Sequence, residues 1–239
     1  MRFAIDPAVF AAFPQYRRGV VIARDVTNLR DDPTLEARLR QAEGAARAWV
    51  GSTEWRDEPR LATWADAFRQ IGVGVSARPP SIVALAKRVL KGTELPFINQ
   101  LVALMNLTSL EHLLPVGGDD LHVVGDELVL RPAAGHEEYR PLGRPDVLEH
   151  PEPGEFVLLD TANEVVLCRT WCWRNSDDTK ITSGTTAVAL NIDVLPPAVP
   201  ADRAEALCAR LAADLTRHCG GTAVWHVLDR DDLSFEADV

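Results

Sequence analysis

The sequence predicts an α+β fold in a single domain covering residues 1–239. Three observations carry that expectation. Helix-period and strand-pattern segments cluster along the chain instead of alternating strictly, which argues against a parallel doubly wound sheet. Turn residues between apolar runs give two hairpin signatures in the second half. Hydrophobic residues supply 46% and charged residues 25% of the 239 positions, the make-up of an ordinary globular chain with enough apolar surface for a core.

The elements follow in order. Gly19-Val20-Val21-Ile22-Ala23 is a continuous apolar run and reads as a strand buried on both faces. Pro33 suits a first helical position, and Leu35, Leu39, Ala42, Ala46 and Trp49 recur at helical spacing, so a helix is predicted over Pro33–Val50. A second helix over residues 59–71 has the stripe Leu61, Trp64, Ala65 and Phe68, which points to core packing. Pro79-Pro80 is a stop, and Ser81 is placed to cap a helix with Ile82, Leu85, Ala86 and Val89 on one side. Another helix covers residues 98–108. Residues 121–124 and 127–131 flank Gly125-Asp126, and residues 155–160 and 164–168 flank Thr161-Ala162-Asn163, which reads as two hairpins. A strand over 187–193 precedes Pro196-Pro197 and Pro200, then a helix with Ala204, Leu207, Leu211 and Leu215 ends at Gly220-Gly221. Residues 222–228 form the last strand, and the acidic tail beyond Leu228 is expected to fray.

Composition narrows the function. The net charge is −10 and the isoelectric point is about 5.1, so any nucleic-acid partner must be met by a local basic patch. No window approaches the ~20 apolar residues of a membrane helix, and Asp6-Pro7 interrupts the place where a signal peptide needs an apolar stretch. A cytoplasmic location without a membrane partner is expected. Cys168, Cys172, Cys208 and Cys219 lack zinc-finger spacing, so reduced thiols are expected, with no metal and no cofactor. No nucleophile elbow, phosphate loop or His-Glu helix signature is present.

Several polar constellations could carry chemistry. Asn99 and Asn106 lie seven residues apart on one predicted helix, so both amides can face one cavity; helix capping or solvent exposure fits the spacing equally. Gly117-Gly118-Asp119-Asp120 is either a turn or a place where backbone N–H groups approach a ligand with an aspartate alongside. Residues 169–174, if extended, stand Arg169, Trp171 and Trp173 on one face, suited to stacking on a planar group, although core burial is the usual fate of tryptophan. Asn175-Ser176-Asp177-Asp178-Thr179 reads as a turn, with Thr179 supplying a hydroxyl. Lys87, Arg88 and Lys91 make one of the few compact basic patches in the chain, as solvated surface or as a contact for a polyanion.

Residues 81–192 resemble the B3/B4 tRNA-editing domain of the phenylalanyl-tRNA synthetase β subunit. The resemblance rests on Pro96 with Ile98-Asn99, Val102 and Asn106; on Pro115 with Asp120; on Leu130-Arg131 with Ala133, Gly135 and Glu137; on Gly154-Glu155 with Asp160; and on Cys168-Arg169 with Trp171, Trp173-Arg174 and Thr179. It implies a B3/B4-like fold, a mixed or antiparallel sheet packed with helices. It also implies a freestanding deacylase that hydrolyses the ester of a mischarged tRNA through a bound water, without a side-chain nucleophile.

On that basis Asn99, Asn106 and Thr179 are expected at the reacting centre. Gly117, Gly118, Asp120, Arg169, Trp171, Trp173 and Asp177 are expected around the amino acid, and Lys87, Arg88 and Lys91 on the tRNA. The expected partner is tRNA and not DNA. Gly117 replaces a histidine of the synthetase domain, Ala103 an aspartate, and the Trp171–Trp173 segment a glycine-rich strand, which argues against tyrosine as the rejected amino acid. If Asp119, Asp120, Asp177 or Asp178 faces the pocket, a cationic amino acid such as arginine, lysine or an analogue is favoured. A non-catalytic tRNA-binding module and a hydrolase or binder of a small amino-acid derivative are the alternatives.

Overall fold

The computed structural model describes residues 1–51 and 54–238. The chain opens with β1 (Arg2–Ile5), α1 (Pro7–Ala12), β2 (Arg17–Arg24), α2 (Pro33–Val50), α3 (Pro59–Gln70), α4 (Ser81–Leu90) and α5 (Gln100–His112). It continues through β3 (Val116–Asp120), β4 (Glu127–Pro132), β5 (Phe156–Asp160), β6 (Val165–Arg169), the short β7 (Arg174–Asn175) and β8 (Ala187–Val194). It closes with α6 (Ala204–Cys219), β9 (Thr222–Leu228) and β10 (Ser234–Glu236).

Local chemistry sets the helix ends. The Asp32 carboxylate accepts a bond from the Leu35 N–H at 2.9 Å ahead of Pro33, and Gly51 at φ 65° ends α2. Ser81 does not cap α4 but is its first residue, and its N–H donates to the Cys172 carbonyl at 2.9 Å. Helix α5 is buried on nearly all sides, which makes it the central helix. Gln100, at its start, accepts from the Leu29 N–H at 2.9 Å and donates to the His218 carbonyl at 2.6 Å.

Two sheets result. One is antiparallel and runs β3-β8-β2-β9; the other is mixed and runs β10-β1-β4-β5-β6-β7, with β1 parallel to β4. Helix α6 covers one face of the four-stranded sheet, where a side chain on Gly19 of β2 would collide with Cys208. By alternation Val21 and Ala23 share that face with Leu190 and Ile192 of β8, while Arg18, Asn191 and Asp193 point the other way. The fold is α+β, as the sequence predicts.

The pieces are joined by Trp171. Its indole is 1% exposed, with ring centroids of Phe13 at 4.7 Å, Tyr16 at 5.0 Å, Trp64 at 5.4 Å and Phe68 at 6.4 Å. Edge-on and offset aromatic contacts of this kind stabilise beyond their buried area.

Three further expectations are corrected. Residues 121–124 are not a hairpin strand: the strand comes earlier, as β3, and Leu121–Val123 is a single 3-10 turn capped by Asp120, whose carboxylate accepts from the His122 N–H at 3.0 Å. The Gly125-Asp126 turn signal was overridden because β3 pairs with distant β8 and β4 with β1 and β5. Residues 169–174 are not one extended face, because Thr170 (φ 47°) and Trp171 (φ 63°) turn the chain sharply after β6. That turn carries Trp171 into the aromatic cluster. The tail does not fray from Leu228: β10 pairs with β1, and Phe235 stacks on Phe3 at 5.2 Å.

Trp171→Ala is expected to destabilise the chain by about 3–5 kcal/mol, read as a fall in the urea midpoint with little change in slope.

Candidate functional site

Between the sheets lies a cavity of about 30 Å³, room for a water molecule. Its floor belongs to the four-stranded sheet. In the register Gly117 of β3 stands opposite Asn191 of β8, and Arg18 of β2 opposite Asp193, so these side chains and Asp119 share one face. Leu158 of β5, Cys168 of β6, Trp171 and Cys172 close it from the other sheet. Arg18, Asp119, Asn191 and Asp193 are buried, whereas Gly117, Asn175 of β7 and Ser81 at the start of α4 are partly exposed. The three partly exposed residues form the mouth.

The floor is a charged network. Tyr16 donates its hydroxyl to Asp193, Arg18 Nε donates to Asn191 at 3.2 Å, and Thr179 donates to Asp119 at 2.7 Å. Arg18 Nη1 lies 3.5 Å from the Asp193 carboxylate but makes no hydrogen bond. That N–H is buried without an acceptor, so the protein leaves the Arg18 guanidinium unsaturated.

Burial penalises the Arg18 charge, yet Asp193 and then Tyr16 outweigh it and hold the group protonated. Burial also drives the Asp119 pKa up from 3.8 to about 7, against the Thr179 bond and the Arg18 charge. Burial raises Asp193 too, opposed by Arg18 and Tyr16. The Cys168 and Cys172 thiols are pushed far above their ordinary range by burial. At neutral pH they are protonated and poor nucleophiles.

The structure brings some of the expected residues to this cavity and places others elsewhere. Gly117, Gly118 and Trp171 border it, and Thr179 reaches it through Asp119. Asp120 does not: one residue further along β3, it faces the opposite side and accepts from the Thr185 hydroxyl at 2.5 Å. Asn99 is the cap of α5, its side chain accepting from the Val102 N–H at 2.9 Å, so it stands outside the helical register that would align it with Asn106. Asn106 is half-buried in α5 and does not border the cavity. Arg169 is held by Glu155 at 2.8 Å and Glu149 at 3.0 Å, and the guanidiniums of Arg78 and Arg169 lie 5.5 and 5.9 Å from the Trp173 ring centre. Asp177 accepts from the Gly143 N–H at 2.9 Å and Lys180 at 2.7 Å, which ties two loops together.

On α4, Lys87 lies 4.6 Å and Arg56 4.7 Å from the Trp55 ring, with Arg88 and Lys91 exposed nearby. Desolvation, then Arg56 and Lys91, lower the Lys87 pKa.

Sequence reasoning missed Arg18, Asn175, Asn191 and Asp193. One signal existed: Arg18 borders an otherwise apolar run, and Asn191 and Asp193 alternate with Leu190, Ile192 and Val194 in a strand buried along its length. Polar residues at alternate positions of a fully buried strand need a partner or a ligand.

A model of the B3/4 domain matches residues 63–216, and the chain belongs to that family. Among solved structures the chain is similar to an N-terminal fragment of the phenylalanyl-tRNA synthetase β subunit from Pyrococcus horikoshii, with 13% identity and a TM-score of 0.46. That match covers 92% of this chain and 49% of the fragment, so the chain spans about half its length. No curated protein sequence matches.

Two predictions separate the faces of β3 and the state of its aspartate. A side chain on Gly118 would run into Leu190 and come within 3.1 Å of Met105 and Ile181, whereas one on Gly117 meets only Asn175, at 3.7 Å. Gly118→Ala should therefore cost about 1–3 kcal/mol and Gly117→Ala well under that, by chemical denaturation. Between pH 3.8 and about 7 the folded chain retains an Asp119 proton that the unfolded chain has released. The stability this site contributes is present at low pH and is lost as pH rises through that window. Asp119→Asn should raise the melting temperature over wild type at pH about 8, by an amount that shrinks toward pH about 4.

Proposed function

We propose that this chain is an aminoacyl-tRNA deacylase that hydrolyses the ester of a mischarged tRNA at the inter-sheet cavity. The observation that carries the reading is a buried, water-sized space bordered by an unsaturated guanidinium and a carboxylate on its floor, inside a B3/4 domain. Neutral thiols beside it favour water as the nucleophile. The void holds that water and not the aminoacyl group, which meets it at the mouth.

Helix α4 supports the tRNA part of the reading. Ser81 sits at the mouth, and Lys87, Arg88 and Lys91 lie toward the other end of the same helix, about 9–15 Å along its axis. A tRNA backbone held at the basic end leaves its single-stranded 3′ terminus within reach of the mouth. Among the aspartates that would favour a cationic amino acid, Asp119 borders the cavity, Asp120 and Asp177 are engaged elsewhere, and Asp178 pairs with Arg140 at 3.3 Å. Asp193 is matched by Arg18 and Asp119 lines the water-sized void, so selection of arginine, lysine or an analogue finds no free carboxylate among these aspartates at the mouth.

Deacylation assays over tRNAs charged with neutral, aromatic and cationic amino acids test the reading. Hydrolysis of at least one mischarged species above the spontaneous rate is expected. Reversing the charge of Lys87, Arg88 and Lys91 together should weaken tRNA binding about tenfold or more and flatten its salt dependence, with kcat little changed. Binding of tRNA without ester hydrolysis would point to a non-catalytic module, and hydrolysis of small aminoacyl esters without tRNA binding to a small-molecule hydrolase.

A further inference from the structure

We propose that Asp119 is the proton acceptor and Arg18 the oxyanion donor of the inter-sheet cavity, acting on a water held between them and on a carboxylic ester presented at the mouth. The identity of that ester as an aminoacyl ester of tRNA rests on the reading above; the roles of the two side chains do not.

Geometry carries the assignment. Both groups border one space of about 30 Å³, so a water held there lies beside both side chains. Arg18 is 4% exposed and its Nη1 donor is unused, while its Nε is fixed on Asn191. Asp119 is 2% exposed; one carboxylate oxygen takes the Thr179 bond, and among the described residues no donor meets the other. The Asp119 pKa of about 7 suits an acceptor working near neutral pH. The other ionisable groups bordering the space are Asp193 from β8 and the thiols of Cys168 on β6 and Cys172 in the turn, with Tyr16 bonded to Asp193. The thiols stay neutral at that pH and Arg18 stays charged.

The step balances. The water oxygen bonds to the ester carbonyl carbon as its proton passes to Asp119, and the carbonyl oxygen becomes an oxyanion on the side of the Arg18 guanidinium. Collapse breaks the bond from that carbon to the ribose oxygen, which leaves with the proton from Asp119. A free amino acid and a ribose hydroxyl result, and the new carboxylic acid loses its proton to solvent.

Three variants test this on aminoacyl-tRNAs and, in parallel, on small aminoacyl esters. Asp119→Asn keeps the Thr179 acceptor and should lower kcat about 10²–10⁴-fold for every aminoacyl group, with no loss of thermal stability. The wild-type rate, corrected for spontaneous hydrolysis, should rise with pH and level off above about 7, and this limb should vanish in the variant. Arg18→Lys keeps the charge but gives up the fixed fork, and should lower kcat by up to about 10²–10³-fold with KM little changed. Gly117→Ala narrows the mouth without a clash, and should lower turnover while the fold is kept.

Activity of Asp119→Asn within threefold of wild type would overturn the proposal. A loss confined to cationic aminoacyl groups would overturn it too, since it would make Asp119 a substrate selector. Small-ester hydrolysis that depends on Asp119, without tRNA hydrolysis, supports the proposal and sinks the tRNA reading. Hydrolysis of tRNA esters untouched by Asp119→Asn does the reverse. Hydrolysis of neither ester overturns both.

Discussion

A guanidinium buried between two sheets sets the terms for the structure around it. Removing a cation from water costs several kcal/mol unless charges and acceptors surround it. Arg18 meets Asp193 across the β2–β8 register and Asn191 two residues along, with Tyr16 bonded to the same Asp193 oxygen that faces Arg18. Tyr16 in turn lies edge-on to Trp171 at 5.0 Å. Polar floor and aromatic wall are therefore one assembly, joined at Tyr16.

Two adjacent glycines let that assembly sit beside a helix and still hold an empty space. Gly118 faces Leu190 and Met105 and admits the close approach of α5, while Gly117 faces the cavity and leaves it unfilled. Because strand side chains alternate, a single residue step separates packing from binding. The same step divides Asp119, at the cavity, from Asp120, which caps the following turn and accepts from Thr185.

Charge is distributed to match. With a net charge of −10 the chain repels polyanions at long range, yet Lys87, Arg88 and Lys91 gather on the helix whose first residue reaches the cavity mouth. Trp55, beneath Lys87 and Arg56, holds part of that cluster in place by cation–π contact.

The sequence by itself determined what depends on near neighbours. Helical spacing and Pro33 at a first helical position located α2, a continuous apolar run located β2, and the resemblance over residues 81–192 pointed to the family that the match over residues 63–216 establishes. Only the tertiary structure decided which polar residues meet. Arg18 and Asp193 are far apart in sequence and paired by strand register. The Trp171 turn is held by Glu155, which accepts from the Thr170 N–H at 2.9 Å, and Asn99 serves a helix end that local periodicity placed a residue or two away. Side-chain direction on a strand depends on its register against distant partners, and no local pattern encodes that register. So the glycine-aspartate run was legible as a candidate site, while the choice of Asp119 over Asp120, and the Arg18 opposite it, belonged to the fold.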